Sequence, residues 1–175
     1  MQKRPLLRPH SNSHFKASPT PVPQTLLDNE HGGEAEEPRF SRLKLESVRF
    51  DRTPSGRCSA VVELRCEDGT KLLGMAEGNA SALGELRLTA EAALRALKAF
   101  LPSSLRMEIL GVKPLRVFDA NIIIVAVGTS GEGRVPGKLL GSDLADIDPI
   151  KATAKAVLNA TNRLVYATIA SKAPG

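Results

Sequence analysis

Few side chains in this chain have the type and spacing that chemistry requires. All three histidines lie within the first 40 residues, so residues 41–175 contain neither the commonest general base nor the commonest metal ligand. No Walker glycine loop, Gly-x-Ser-x-Gly turn or Rossmann fingerprint follows a predicted strand. The sequence therefore predicts a protein that is not an enzyme, with no catalytic residues and no cofactor.

Two segments have a composition that would suit a bound ion. Residues 128–133 (GTSGEG) link two predicted strands and open no helix, which favours a flexible hairpin loop over a phosphate site. Asp143, Asp146 and Asp148 offer oxygen ligands, but the segment lacks the invariant glycine and the distal Glu of a calcium loop. Helix capping and the helix dipole explain Asp148 and Asp146. We predict no metal site.

The two cysteines and the lack of long apolar segments indicate a compartment. Cys58 and Cys66 fall on one predicted strand or at its end, roughly 26 Å apart, so they cannot pair with each other if that strand forms. Buried thiols without metal spacing suit a reducing environment. No stretch approaches the roughly 18 apolar residues that a membrane span needs. We expect a cytoplasmic protein without a membrane partner.

The net charge of +5 and the pI of about 9.5 raise the question of an anionic partner. Basic and acidic residues are interspersed through residues 41–175 without a run of like charge, which favours a mixed solvated surface. Aromatic residues, the usual stacking platforms for single-stranded nucleic acid, make up only 3% of the chain. A nucleic-acid-binding module remains the alternative hypothesis.

The two ends of the chain lack the pattern of a folded core. Residues 1–40 hold six of the 12 prolines and show no apolar period, so we predict a disordered tail. This tail would act as a solubilising linker or as a segment that docks a protein partner. Residues 169–175 are also predicted to be disordered.

The first half of the folded part reads as three strands and a helix. Apolar alternation predicts strands over residues 43–50, 58–65 and 71–77. An apolar stripe at helical spacing follows Ser81 and ends before Pro102.

The second half repeats this order. Strands are predicted over residues 105–118, 121–127 and 135–140, followed by a helix from Asp148, its N-cap, to residue 166. Gly74 and Gly137 are expected to occupy equivalent places, 63 residues apart.

The sequence thus predicts an α+β fold of duplicated βββα units, with two three-stranded antiparallel sheets and one covering helix on each. The domain would span residues 41–168, with halves at about 41–102 and 103–168. Each half alone would leave much apolar surface exposed, so we expect the two halves to pack together and form a cleft.

Residues 141–164 (GSDLADIDPIKATAKAVLNATNRL) carry a more specific pattern. An Asp and aliphatic residues precede a small-residue segment, and a helix then ends in Leu-Asn-Ala-x-Asn-Arg-Leu. This segment resembles the last motif of the C-terminal regulatory domain of 2-isopropylmalate synthases. Residues 60–64 (AVVEL) and 77–79 (EGN) resemble that domain's earlier strand and helix approach, so the likeness covers residues 43–166 in order.

The resemblance implies a dimerisation and allosteric module that binds an amino acid in the loops leading into the two helices. On this sequence, the implied ligand-binding residues are Gly78, Asn79, Ala80, Ser81, Asp148, Ile150 and Ala152. The catalytic barrel of the synthases does not fit in 175 residues, so their reaction is not implied. We predict a non-catalytic regulatory or assembly module, a homodimer with an amino-acid-like ligand.

Overall fold

The computed structural model describes residues 43–131 and 135–172. Within these ranges the chain forms six strands and two helices. Their order is β1 (Lys44–Arg52), β2 (Arg57–Arg65), β3 (Lys71–Asn79), α1 (Ala82–Lys98), β4 (Arg106–Val117), β5 (Ala120–Ser130), β6 (Lys138–Leu144) and α2 (Pro149–Lys172). The predicted disordered tail, residues 1–40, lies outside the described residues.

The strands form two antiparallel sheets of three, each with its strands in chain order. We call β1–β3 the first sheet and β4–β6 the second sheet. α1 packs on the first sheet and also contacts β4, whereas α2 packs on the second sheet and also contacts β1. The helices contact each other as well. This arrangement confirms the predicted α+β fold of repeated βββα units.

Both helices begin as the sequence predicts. Ser81 caps α1, because its hydroxyl oxygen accepts a hydrogen bond from the amide of Gly84 at 3.0 Å. Asp148 caps α2 by accepting from the amide of Lys151 at 2.9 Å, and Pro149 occupies the first helical position. At its other end α2 continues to Lys172, so residues 169–172, predicted to be disordered, are helical.

Each helix approaches its sheet over a glycine. A Cβ placed on Gly74 in β3 would lie 2.0 Å from the Ala92 carbonyl oxygen of α1, and a Cβ on Gly141 in β6 would lie 2.1 Å from the Ala156 carbonyl oxygen of α2. The third strand of each unit therefore needs a residue without a side chain at this position. The glycine in the middle of β3 is therefore explained by a close backbone contact.

The predicted equivalence of Gly74 and Gly137 is wrong. β6 spans residues 138–144 rather than 135–140, and Gly137 precedes it with nothing within 4 Å of where its Cβ would lie. The glycine equivalent to Gly74 is Gly141. Each is the last residue of a Lys-Leu-Leu-Gly segment, at 71–74 and at 138–141.

The helices repeat a motif of their own. Residues 89–96 and 153–160 share the pattern Thr-Ala-x-Ala-x-Leu-x-Ala. Its second and third alanines lie over the glycine of the sheet in both units, which permits the close approach of helix and strand. The threonine of each motif, Thr89 or Thr153, is fully buried, and its hydroxyl donates a hydrogen bond to the carbonyl oxygen four residues earlier.

The irregularities of the strands also recur. A bulge interrupts β1 between Leu45 and Ser47, and another interrupts β4 between Ile109 and Gly111. The partners of Leu45 and Ile109 are Leu64 and Val127, which are both fully buried at equivalent places of the central strands. Gly111 thus lies at the second of these bulges.

The core lies between each helix and its sheet and is aliphatic. Alternate residues of each central strand point into it and are almost entirely buried. They are Cys58, Ala60, Val62 and Leu64 in β2 and Ile123, Val125 and Val127 in β5. Cys66 is buried beside them, in agreement with the predicted structural role of the thiols. Neither described helix is long and apolar enough to cross a membrane.

Candidate functional site

A groove of about 700 Å³ opens where the first turns of both helices meet the end of the second sheet. We call it the helix-start groove. Ala82, Glu85 and Leu86 of α1 line one side, and Pro149 and Ile150 of α2 line another. The site therefore contains residues from both βββα units, as expected for a cleft between packed halves.

The first unit contributes an ion pair to this groove. The Arg52 guanidinium at the end of β1 donates from Nη2 to Oε2 of Glu85 at 2.5 Å. The side chain of Glu85 is only 12% exposed, whereas that of Arg52 is 64% exposed. The hydrogen bond to Glu85, together with the charge of that carboxylate, raises the pKa of Arg52 above its ordinary value. Glu85 is thus a charged wall residue held in place by its partner.

The second unit contributes a hydrogen-bonded loop. Oδ1 of Asp146 accepts from the backbone amide of Asn121 at 2.7 Å and from its side-chain Nδ2 at 3.2 Å. The amide of Ala145 donates in turn to the carbonyl oxygen of Asn121 at 2.7 Å. These bonds fasten the segment before α2 to the start of β5. Asp146 therefore fixes a loop, whereas the sequence predicts a role at the helix dipole.

Arg116, near the end of β4, completes the charged rim. Its side chain is exposed, and it forms no ion pair with the part of the chain that the structure describes. An exposed guanidinium without an ion-pair partner can bind a carboxylate through two parallel hydrogen bonds.

The floor and walls between these charges are apolar. They are formed by Leu86, Pro114, Leu115, Ile122, Ile123, Ala145, Pro149 and Ile150. The groove thus combines both signs of charge with an aliphatic surface, which suits a small molecule that has an ammonium, a carboxylate and an apolar side chain.

The residues predicted as ligand-binding are only partly brought to this groove. Ile150 lines it, whereas Ala152 is 2% exposed and packs in the core. Asp148 is exposed and caps α2.

The four predicted residues of the first loop lie beside the groove rather than in its lining. Gly78 packs against Leu88, where a Cβ would lie 3.0 Å from a methyl group. Asn79, Ala80 and Ser81 are exposed, and Ser81 serves as the α1 cap. Binding by these residues remains a prediction.

Sequence reasoning missed the charged residues that line the groove. Arg52 and Glu85 lie 33 positions apart, and only the packing of α1 on the first sheet brings them together. Asn121 and Asp146 are 25 positions apart and meet through the pairing of β5 with β6. The one available signal was a Glu in the first turn of a helix, on the side of its apolar stripe.

A comparison with known protein families finds no match to this chain, and a comparison with curated proteins finds none either. The likeness to the 2-isopropylmalate synthase domain therefore rests on the sequence pattern alone.

Two other predictions concern nucleic acid and metal ions. Six ion pairs join basic to acidic side chains in the described ranges, for example Arg57 with Glu77 at 3.7 Å and Arg65 with Glu46 at 2.5 Å. The nucleic-acid hypothesis stays a prediction. Among the described residues no group of His, Cys, Asp or Glu is arranged to hold a metal ion.

Proposed function

We propose that this chain is a non-catalytic regulatory and assembly module, which binds a small amino-acid-like metabolite in the helix-start groove and works as a homodimer. The observation that carries the proposal is the composition of that groove. It presents carboxylates and guanidinium groups around an aliphatic floor and draws them from both units.

The charged groups match the two ends of an amino acid. Arg116 would bind the carboxylate, helped by the positive ends of the α1 and α2 dipoles. Glu85 and Asp146 would accept from the ammonium group, and the aliphatic walls would contact a branched side chain. The resemblance of residues 141–164 to an amino-acid-binding regulatory domain supports the same ligand class.

The lining also supports a binding role rather than catalysis. It contains no Ser, Thr, Cys, Lys, Tyr or His, so nucleophilic attack would have to come from a carboxylate. Glu85 and Asp146 are the only acid–base groups, and both are already hydrogen-bonded to neighbours that hold them in place.

A ligand in this groove would contact both units and so stabilise their packing. We expect leucine, isoleucine or valine to raise the melting temperature by about 5 °C or more at roughly a hundred times its Kd, because the ligand binds only the folded state. Leucine amide, which lacks the carboxylate, and 4-methylpentanoate, which lacks the ammonium, should give little stabilisation.

Arg116→Gln is expected to abolish the shift, whereas Arg163→Gln, an exposed arginine of α2 outside the groove, should retain it. If the protein melts cooperatively and none of these amino acids raises its melting temperature, the proposed ligand binding is contradicted. The assembly part is checked by the mass in solution, expected to be twice 18.7 kDa. A mass of one chain at every concentration would contradict it.

A further inference from the structure

Each sheet has two outer strands, and the outer edge of each is a row of backbone groups that no neighbouring strand binds. The outer strands are β1 and β3 in the first sheet and β4 and β6 in the second. Such a free edge can add a strand from another chain, so folded proteins usually obstruct it. β1 and β4 are each interrupted by a bulge, which discourages strand addition. β3 and β6 pair with their neighbours without a register shift, so their edges need a different obstruction.

The carbonyl group of Met75 points to the free edge of β3. In an antiparallel pair, residues that exchange hydrogen bonds alternate with residues whose amide and carbonyl groups point away from the partner strand. At one end of the β2–β3 pairing, the Cys66 amide donates to the Thr70 carbonyl oxygen at 2.9 Å. At the other end, the Ala80 amide donates to the Gly56 carbonyl oxygen at 2.8 Å. Counted by twos from either end, the bonded positions of β3 have even numbers, so Met75 points away from β2.

The carbonyl group of Ser142 points to the free edge of β6 for the same reason. The amide of Thr129 donates to the Gly137 carbonyl oxygen at 3.2 Å at one end of the β5–β6 pairing. The amide of Ala145 donates to the Asn121 carbonyl oxygen at 2.7 Å at the other end. The bonded positions of β6 therefore have odd numbers, and Ser142 points away from β5.

A helix side chain binds each of these two carbonyl groups. Arg95 of α1 donates from Nη1 to the carbonyl oxygen of Met75. Asn159 of α2 donates from Nδ2 to the carbonyl oxygen of Ser142 at 2.8 Å. Arg95 and Asn159 both occupy the seventh position of the repeated helix motif, and each bound carbonyl group belongs to the residue after the glycine under the helix. The two units therefore make the same contact with different side chains.

Both edge strands also have exposed apolar side chains near these carbonyl groups. In β3, Leu73 is 60% exposed and Met75 is 53% exposed, and in β6, Leu140 is 66% exposed and Leu144 is 64% exposed. An exposed edge strand with apolar side chains is prone to edge-to-edge association. A helix side chain bound near the middle of the strand occupies an acceptor that an added strand would need and stands where that strand would pair.

We propose that Arg95 and Asn159 close the free edges of β3 and β6 against the addition of a strand from a second copy of this chain. Both side chains are exposed, so filling the core does not explain their shared contact. With the bulges of β1 and β4, every outer strand of the two described sheets is then obstructed. The inference goes beyond the proposed function, and it implies that a homodimer does not form by pairing β3 or β6.

The test removes the two donors and measures association of the full chain by sedimentation velocity. Arg95→Ala and Asn159→Ala should each form species larger than those of the wild type. The double variant should do so at a concentration at least about tenfold lower than the wild type. Lys98→Ala and Asn162→Ala are the matched controls, because they remove an exposed basic residue of α1 and an exposed asparagine of α2, and they should sediment as the wild type does.

A second substitution shows whether the association uses the edge. Met75→Pro removes the amide that points to the free edge of β3 and leaves the hydrogen bonds to β2 in place. In the Arg95→Ala background it should restore the sedimentation of the wild type, and Ser142→Pro should do the same in the Asn159→Ala background. Association through partly unfolded chains would not be reversed by a proline.

The outcomes separate this inference from the proposed function. Folded Arg95→Ala and Asn159→Ala variants that sediment as the wild type does would overturn it, and so would association that the controls share or that the prolines do not reverse. Circular dichroism checks folding. If an alanine variant does not fold, Arg95→Met and Asn159→Asp repeat the test, because they keep most of the side chain and lack the donor. A monomeric wild type would contradict the homodimer and leave the closed edges standing.

Discussion

The two βββα units agree where each sheet meets its helix and differ where each sheet faces outward. On the inner side, both have a glycine under an alanine-rich helix, a buried threonine and a bulge at the same register. On the outer side, the first sheet has crossing ion pairs and the second has Ile122, Ile124 and Leu140. The shared inner features are therefore those that the fold requires, whereas the residues of the outer faces are free to differ.

The largest expected effect tests the shared inner side. Gly74→Ala and Gly141→Ala each place a Cβ within about 2 Å of a helix carbonyl oxygen, so the helix must move away from its sheet. Each should lower the free energy of unfolding by about 3 kcal/mol or more, measured by urea denaturation. The control is Gly137→Ala, where the added methyl group meets nothing within 4 Å.

Equal losses in the two units would support the equivalence of Gly74 and Gly141. If Gly137→Ala were as costly as Gly141→Ala, the equivalence of Gly141 and Gly74 would be contradicted.

A smaller effect compares the first turn of each sheet. The β1–β2 turn reaches positive φ at Gly56, with a φ of 78°, whereas the β4–β5 turn does so at Phe118. Phe118→Gly should raise the free energy of unfolding by about 1 kcal/mol, because glycine adopts this conformation without strain. Gly56→Ala should lower it by a similar amount, about 1 kcal/mol.

A loss of subunit stability in Phe118→Gly would show that the turn is not strained.

The smallest effect concerns acid sensitivity of the first unit. The hydrogen bond from Lys71 holds the pKa of Glu63 below its ordinary value of 4.5, and the backbone amide of Thr70 holds that of Asp68 below 3.8. Because the folded pKa is lower than the unfolded one, this stabilisation is present above those ordinary values and is lost as the pH falls through the folded pKa.

The urea midpoint should therefore fall between about pH 7 and about pH 3, and it should fall less in Glu63→Gln. Glu108→Gln, in the second sheet, is the matched control and should behave as the wild type does. An unchanged pH dependence in Glu63→Gln would contradict the assignment.

The element order was predictable because the apolar periods are strong. Alternation in residues 58–65 and the helical stripe after Ser81 each leave one consistent interpretation. The third strand of the second unit was misplaced because Gly141, Ser142 and Asp143 are typical turn residues. Their place in a strand follows from the helix that lies over Gly141, which local propensity does not include.

The groove was less predictable than the fold. Ile150, which lines the groove, was among the predicted ligand-binding residues only because the resemblance of residues 141–164 implies a ligand site in the loop before α2. Arg52 and Arg116 had no such signal, because their roles depend on strand register and on the contact of α1 with both sheets.

The sequence by itself determined the order of the secondary-structure elements, the cap of α2 and the repetition of the βββα unit, because each depends on residues close together in the chain. The tertiary structure decided which glycines are equivalent, which charges meet in the groove and which sheet has the apolar outward face. Those features depend on residues distant in sequence, brought together by strand pairing and by the packing of each helix on its own sheet and the other one.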